Sequence, residues 1–376
     1  MKNLIILIVS AFLLMPSFMN AQACMEPASD DGITIIGFIQ PQYEYLFAGQ
    51  DQQGKRLDES SFYFNRARLG VTGNIPYDFS YYFMTEISPT LNGAKNIQPP
   101  LLLDAFISYN RFAPYIKVSA GQFKVPFGIE LPQACHKLYT INRSTVVTNL
   151  VDPWRDLGVM VSGGTGDLSI LGTKTKNAIS YSLGVFNGAG INTKDENINK
   201  SIVGRIAIKP IDLVTLGASY RFTKLPAQSV GATEEDTRQR LGLDLELNYK
   251  NFIVQGEYVY GADNGSYTTG GGCGGEVEVH QGSKKRDGFF VQALYMTPWK
   301  VQPVVRYERF DPNMEIAADQ LGFLPEEGLQ NVITYGLNYF FNEKVRFQVN
   351  YLYRAEETGR LEVKNDILLT QFQIVF

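Results

Sequence analysis

The sequence predicts an all-β protein, a transmembrane antiparallel β-barrel of about 16 strands with an inward-folded long third loop. Three observations predict this fold. Short segments alternate apolar and polar residues, which is the period of a half-buried strand. The connections alternate between long loops and tight turns, as they do in outer-membrane barrels. Beyond residue 23, no apolar run approaches the roughly 18 residues of a membrane helix.

The chain begins with the features of an export signal. Residues 1–23 combine a basic start, an apolar run over 4–15 and an Ala-x-Ala cleavage site at 21–23. Cleavage there leaves 24–376 as a single barrel domain. Acylation of Cys24 is the rival interpretation, but the residues before it fit a lipoprotein motif poorly. We therefore expect an exported protein with its signal peptide removed.

The composition agrees with strands that have one apolar face and one wet face. The chain contains 21 Tyr, 24 Phe and 35 Gly, yet its mean hydropathy is only -0.11. A formal net charge of -4 and the lack of a basic stripe give no indication of nucleic-acid binding. The three cysteines lack metal-site spacing, and a Cys135–Cys273 disulfide stays open as an alternative in an oxidising compartment.

Sixteen strand-like segments account for most of the chain, and an even number suits a closed antiparallel barrel. Their approximate bounds are 33–47, 60–73, 77–87, 101–112, 115–123, 156–163, 177–187, 201–209, 214–223, 239–250, 252–261, 288–296, 301–311, 331–341, 345–355 and 367–376. Long loops are expected at 48–59, 88–100, 124–155, 188–200, 224–238, 262–287, 312–330 and 356–366. The other connections are tight turns, except for a longer one at 164–176.

Charge patterning indicates which face of each strand is wet. In segment 239–250, four leucines share one face, whereas Arg240, Asp244 and Glu246 share the other. A charge that faces lipid at the bilayer centre costs about 2–4 kcal/mol. The charged faces are therefore expected to line a watery interior. Tyr and Phe cluster near both strand ends, which is typical of interfacial girdles.

The segment 124–155 interrupts the alternation. Three prolines break any long regular element, and the segment is too apolar to be disordered. Loops of this length in compact domains are usually functional. We expect this third loop to fold into the mouth of the barrel and to act as a constriction.

Four short motifs, met in order along the chain, resemble the phosphate-selective porin O/P family. They are NRARLG at 65–70, GQFKVPFG at 121–128, DLGV at 156–159 and FNG at 186–188. The resemblance implies a Gram-negative outer-membrane barrel, commonly a homo-trimer, with arginines on its inner wall. The last strand ends in Phe376, which is similar to the signature that the barrel assembly machinery recognises.

Basic residues at the strand positions that face inward, together with basic residues of the third loop, form a candidate set of pore-lining, anion-binding residues. They are Arg66, Arg68, Lys124, Arg143, Arg155, Arg205 and Arg221. Arginine suits phosphate because its planar fork donates two hydrogen bonds to one group. The same parity holds for Lys117, Arg306, Arg346 and Arg354, and for the acids Glu86, Asp104, Asp244, Glu246, Glu257 and Glu308. The alternative that the basic residues merely balance these acids stays open.

These features predict a porin for passive diffusion of small hydrophilic solutes, with a preference for anions such as phosphate. Membrane lipid is the expected surrounding, and no nucleic acid, metal or cofactor is expected. A barrel hydrolase and a structural or adhesive barrel are the alternatives. Ser144 lies near His136, but no motif orients a nucleophile–base pair, and His280 lies in another loop. The glycine-rich run 270–275 has no helix after it to form a phosphate cradle.

The first prediction concerns topology, with both termini periplasmic and the long loops outside. An epitope tag inserted beside Gly271 is expected to bind antibody on intact cells. A tag beside Asn251, in a tight turn, is expected to bind only after the outer membrane is permeabilised. The opposite accessibility of the two tags would show that the barrel is inserted the other way round.

Overall fold

Sixteen strands form one closed antiparallel barrel, which confirms the predicted fold class. The computed structural model describes residues 32–50, 53–76, 78–89, 100–170, 173–175, 177–195, 197–226, 236–270, 277–314, 329–355 and 364–376. Barrel strands pair with their neighbours along the chain, and β1 closes the barrel against β18. Within the described ranges, no helix has the length and hydrophobicity that a membrane crossing requires.

The barrel strands are β1 (Ile33–Phe47), β2 (Glu59–Ile75), β3 (Phe79–Glu86), β4 (Leu101–Phe112), β5 (Ile116–Lys124), β6 (Arg155–Gly164), β9 (Ile179–Phe186), β10 (Ser201–Ile211), β11 (Val214–Leu225), β12 (Asp236–Tyr249), β13 (Phe252–Gly270), β14 (Val277–Tyr295), β15 (Val301–Asp311), β16 (Gln330–Phe340), β17 (Val345–Ala355) and β18 (Asp366–Val375). Two further strands, β7 (Leu168–Ile170) and β8 (Thr173–Thr175), form a separate small hairpin.

Two connections differ from the sequence prediction. The long loop predicted at 262–287 is wrong over most of its length, because β13 and β14 stay paired out to Gly270 and Val277. Apolar alternation stops near residue 262, close to the point where β13 pairs with β12 for the last time, at Asn264, but backbone pairing does not need an apolar face. The longer turn at 164–176 contains the β7–β8 hairpin, outside the barrel sheet.

The apolar residues of the strands face outward and the charged ones face inward. Leu241, Leu243 and Leu245 are 44%, 51% and 36% exposed, whereas Arg240 and Asp244, which alternate with them, are 4% and 5% exposed. This is the reverse of a water-soluble sheet and is the arrangement of a membrane barrel. The lipid-facing belt therefore follows the parity that the sequence predicted.

A β-bulge in β2 brings consecutive polar residues to the inner wall. Gln40 pairs with Arg66 but the next residue of β1 pairs with Phe64, so Asn65 is the extra residue. Phe64 faces outward before the bulge and Leu69 faces outward after it, while Asn65 and Arg66 are both buried inside. The bulge thus changes the phase of the alternation in the middle of the NRARLG motif.

The third loop, residues 125–154, lies inside the barrel. It contains a short 3-10 helix (Cys135–Lys137) and one α-helix, α1 (Thr145–Leu150), whose N-cap hydroxyl on Ser144 accepts the Val147 N–H at 3.2 Å. The loop packs its apolar side chains against apolar residues of the wall in one buried cluster. From the loop come Val125, Phe127, Leu131, Val146, Val147, Leu150 and Val151, and from the wall come Phe123, Phe186, Val203, Val259, Phe290 and Phe310.

A small residue in the wall makes room for this packing, which gives the second prediction. A Cβ on Gly242 would lie 2.8 Å from Cε1 of Phe127, whereas a Cβ on Gly204 would meet nothing closer than 3.5 Å. Gly242→Ala is therefore expected to destabilise the folded barrel by about 1–3 kcal/mol through overpacking. Its unfolding temperature, measured by heat-modifiable gel mobility, should fall, and the matched control Gly204→Ala should not change it. Equal behaviour of the two variants would contradict the packing of Phe127 on the wall.

Candidate functional site

Wall side chains bind the backbone of the third loop from many strands. Arg205 donates to the Gly128 carbonyl at 2.7 Å, and Arg346 donates to the Leu138 carbonyl at 2.9 Å. The Glu257 carboxylate accepts the N–H groups of Ile129 and Glu130 at 3.0 and 3.1 Å. Further wall partners of the loop are Ser219, Arg221, Arg240, Arg306, Glu308, Asn338, Asn350 and Gln373. The loop is thus fixed across the interior rather than along one side of it.

Three of the predicted basic residues form buried ion pairs. Arg68 donates to Glu86 at 2.8 Å, and Arg205 donates to Asp244 at 2.5 Å.

The third pair is bidentate, with Arg155 Nε and Nη2 donating to the two oxygens of Asp104 at 2.9 and 3.0 Å. Removing one partner of a buried pair typically costs about 3–5 kcal/mol, because the other charge is left uncompensated. These three arginines therefore also hold the wall together.

Three other candidates contact neutral oxygens instead. Arg66 donates to Gln40 at 3.1 Å, and Arg221 donates to the carbonyls of Val151 and Pro153. Arg143 donates to the Leu131 and Gln133 carbonyls at 3.2 and 2.6 Å and lies over the Trp154 ring. Among the described residues, none of these three guanidinium groups has a carboxylate within 4.0 Å. Lys124, the last candidate, donates to the Gln133 carbonyl at 2.6 Å.

The structure adds a residue that the sequence did not single out for the site. Cys135 is a free, buried thiol whose sulfur lies 3.3 Å from Nη1 of both Arg68 and Arg143. Burial alone raises the pKa of this thiol, but Arg68, Arg143 and Arg66 together bring the pKa well below its ordinary value. The two arginines therefore favour the ionised form of the Cys135 thiol. Cys273, the other half of the disulfide considered from the sequence, lies outside the described residues.

Three adjoining cavities follow the wall from β2 to β6 past the third loop. The inner vestibule, a cavity of about 220 Å³, extends from Lys117 and Ser162 beside the tight β4–β5 turn to Lys124. The neck, of about 40 Å³, follows and shares Lys124, Pro132 and Ala134 with it. The outer vestibule, of about 180 Å³, shares Arg68, Cys135 and Arg155 with the neck. Shared lining residues place these three cavities in one row along the wall, the path, with the smallest volume at the loop.

Basic side chains outnumber acidic ones in each cavity. Among the described residues, the inner vestibule is lined by Lys117, Lys124, Lys137 and Arg205 and by no acid. The neck has Arg68, Lys124 and Arg155 against Asp104 and the Cys135 thiol, and the outer vestibule has Arg66, Arg68, Arg143 and Arg155 against Asp152 and the same thiol. Burial lowers the pKa of His136, in the neck, to about 4, so this imidazole is neutral at neutral pH.

The groups considered for catalysis have structural partners. The Ser144 hydroxyl donates to Glu130 at 2.8 Å while it caps α1, and the His136 ring packs on Phe38 with centroids 5.3 Å apart. The described part of the chain contains no cluster of three potential metal ligands. Residues 271–275 of the glycine-rich run 270–275 and the side chain of His280 lie outside the described residues.

A closed, sixteen-stranded barrel with an outward apolar belt, narrowed inside by its third loop, defines a diffusion channel of the outer membrane. The chain belongs to the family of phosphate-selective porins O and P, whose model matches residues 39–376. It is therefore an outer-membrane porin. No curated relative matches the sequence significantly.

Solved structures share the fold at low identity. The anion-selective porin from Comamonas acidovorans superposes with a TM-score of 0.63 at 12% identity, over 92% of this chain and 99% of that one. The outer membrane channel DcaP of Acinetobacter baumannii gives 0.63 at 13% identity, over 94% and 99%. The outer membrane protein OmpT of Vibrio cholerae, in its trimer form, gives 0.56 at 11% identity, over 92% and 99%.

The third prediction concerns the charge on Cys135. Cys135→Ser removes a negative charge beside Arg68 and Arg143, so the reversal potential in a salt gradient is expected to shift toward anions. The lowered pKa favours the thiolate, and this charge is lost as the pH falls through that pKa. The difference between wild type and variant should therefore vanish at acidic pH.

Cys273→Ser, which alters a cysteine in another loop, is the control for this experiment. A Cys135→Ser channel with unchanged selectivity at neutral pH would show that the thiol is neutral.

Proposed function

We propose that this porin passes small hydrophilic anions, phosphate among them, by passive diffusion. The observation that carries the proposal is the excess of basic over acidic side chains in all three cavities along the path. The name of the family and the anion selectivity stated for the Comamonas acidovorans porin agree with it. Nothing in the proposal requires a chemical reaction, and we propose no enzymatic activity.

Local placement of charge, rather than net charge, favours anions. The whole chain has a formal net charge of -4, so an average over the molecule does not predict an anion preference. In an open lumen at physiological salt, charges farther apart than about 8 Å are largely screened. In the neck there is room for very few waters, and one charge about 4 Å from an anion contributes between about 1 and 4 kcal/mol. Selectivity therefore arises at the neck and its two mouths.

The seven candidate residues divide into two groups in this proposal. Arg68, Arg155 and Arg205 keep their carboxylate partners and act mainly as fixed wall charges. Arg66 and Arg221 donate to neutral oxygens, so an anion gains more from them, and Arg143 combines neutral oxygen partners with the Cys135 thiol. Lys124, which donates to the Gln133 carbonyl, adds a further cation at the neck. Arg66 and Arg143 both line the outer vestibule, where a guanidinium fork suits a phosphate oxygen pair. The sequence alternative of pure charge balance thus applies to the first group and not to the second.

The cellular context follows from the family. We propose that residues 1–23 are removed on export and that 24–376 is the mature barrel, surrounded by membrane lipid. The final strand, β18, with Phe376 after it, is the segment that we expect the barrel assembly machinery to recognise. A homo-trimer is proposed because the OmpT structure is described as a trimer form.

The fourth prediction tests the anion path. Arg66→Ala in a planar bilayer is expected to shift the reversal potential toward cations and to weaken the block of chloride current by phosphate by several-fold. The physical reason is that Arg66 is a buried cation with no carboxylate partner within 4.0 Å among the described residues. The matched control is Arg111→Ala, because Arg111 is 62% exposed at the turn side and pairs with Asp78.

Three outcomes of this experiment are distinct. A shift with Arg66→Ala alone supports the proposal. Equal shifts with both variants would show that distant surface charge sets the selectivity. A wild-type channel that prefers cations would overturn the anion preference while leaving the porin assignment intact.

A further inference from the structure

The inner vestibule differs from the neck and the outer vestibule in its charge. All three cavities have apolar and aromatic lining, but the neck includes Asp104 and the outer vestibule includes Asp152. The inner vestibule combines the aromatic rings of Phe106 and Phe123 and the thioether of Met160 with four basic side chains and, among the described residues, no acid. An inorganic anion gains no favourable interaction from such an apolar wall. The combination is typical of a site for an anion with an apolar body.

The basic residues of the inner vestibule are not equally occupied. Arg205 is held by Asp244 and the Gly128 carbonyl, and Lys124 by the Gln133 carbonyl. Among the described residues, the ammonium groups of Lys117 and Lys137 have no hydrogen-bond or ion-pair partner. These two lysines come from β5 and from the 3-10 helix of the loop, so they converge on the cavity from the wall and from the constriction.

The aromatic wall of this cavity is fixed in place. The Phe106 ring stacks on Tyr82, with centroids 5.3 Å apart, and meets Phe123 edge-on at 5.4 Å. Phe123 meets Phe186 edge-on at 5.5 Å and is only 4% exposed. Phe106 is half-buried, so part of its ring faces the cavity. A planar ring entering the vestibule extends an existing chain of edge-to-face contacts.

The dimensions are adequate for such a guest. An apolar cavity of about 150 Å³ holds a benzene molecule. The inner vestibule, with about 220 Å³, therefore accommodates one aromatic ring and a carboxylate beside it. The neck, with about 40 Å³, is too small to hold an aromatic ring, so such a molecule binds in the inner vestibule.

We infer that the inner vestibule is a binding site for small aromatic carboxylates, with the carboxylate between Lys117 and Lys137 and the ring against Phe106. The inference rests on the proposed anion-preferring function and narrows its solute class. Lysine suits this role because its flexible ammonium follows a carboxylate in several poses. The affinity is weak enough for release, since the cavity is open to the lumen and only one ring is buried.

The test is block of single-channel chloride current by benzoate, compared with acetate and phosphate, in wild-type full-length protein. Benzoate is expected to interrupt the current at a concentration roughly tenfold lower than acetate, because ring burial adds to the same carboxylate contact. Addition on the side of the tight turns should be more effective than addition on the side of the long loops.

Two variants separate the parts of the site. Lys117→Gln combined with Lys137→Gln should weaken block by benzoate and acetate alike, several-fold. Phe106→Leu should weaken block by benzoate while leaving block by acetate unchanged. The charge control is Lys344→Gln, in the tight turn between β16 and β17 and outside the cavity. Heat-modifiable gel mobility verifies that each variant is folded.

The outcomes distinguish this inference from the proposed function. A wild-type channel that conducts anions but is blocked equally by benzoate and acetate overturns the aromatic site and leaves the anion-preferring function standing. A protein that forms no anion-preferring channel overturns the proposed function itself. Unchanged benzoate block in Phe106→Leu also overturns the site, because acetate in the same variant reports on folding and conduction.

Discussion

A barrel of sixteen strands encloses a lumen that its own side chains do not fill, and the buried backbone groups of the third loop need hydrogen-bond partners there. Loop carbonyls such as those of Gly128 and Leu138 accept from wall arginines, and loop N–H groups such as those of Ile129 and Glu130 donate to Glu257. The charged side chains of the inner wall are therefore needed to hold the loop, whatever their effect on permeating ions.

This requirement explains why arginines serve both stability and permeation. A guanidinium group has five donors, so it binds a carbonyl or carboxylate with some of them and still presents a positive face to the lumen. Arg205 illustrates the point, because it binds Gly128 and Asp244 and also lines the inner vestibule. Lys117 and Lys137, which have no such partner within the described part of the chain, are able to follow a solute. The path thus combines fixed charges at its neck with adaptable ones at its inner mouth.

Much of this architecture was predictable from local patterns. One alternating segment predicts both a strand and the face that contacts lipid, because only an apolar face is tolerated there. In that segment, Leu241, Leu243 and Leu245 alternate with Arg240 and Asp244. The apolar content and prolines of 124–155 predict a folded loop, and the loop is found inside the barrel.

Other features depend on interactions that the sequence does not display. The bulge at Asn65 depends on pairing with β1, and the extension of β13 and β14 depends on hydrogen bonds that are indifferent to side-chain polarity. The contact of Cys135 with Arg68 joins residues from a loop and a distant strand. The partners of the candidate arginines could not be predicted either, because the alternation of a strand indicates which face a residue lies on but not which residues it contacts. Arg155 pairs with a carboxylate, whereas Arg66 pairs with neutral oxygens. This difference depends on tertiary contacts.

The bulge in β2 has a consequence for how this barrel tolerates insertions and deletions. The strand consists of two halves in opposite phase, joined at Asn65, so each half has its own assignment of faces. Loss of Asn65 itself would restore an unbroken ladder with β1 and would keep Phe64 toward lipid and Arg66 inward, whereas loss of a neighbour such as Ala67 would turn residues on one side of the deletion to the wrong face. Length changes in the loop before β2 leave this phase untouched. The same one-residue change is therefore neutral in one place and disruptive a few residues later.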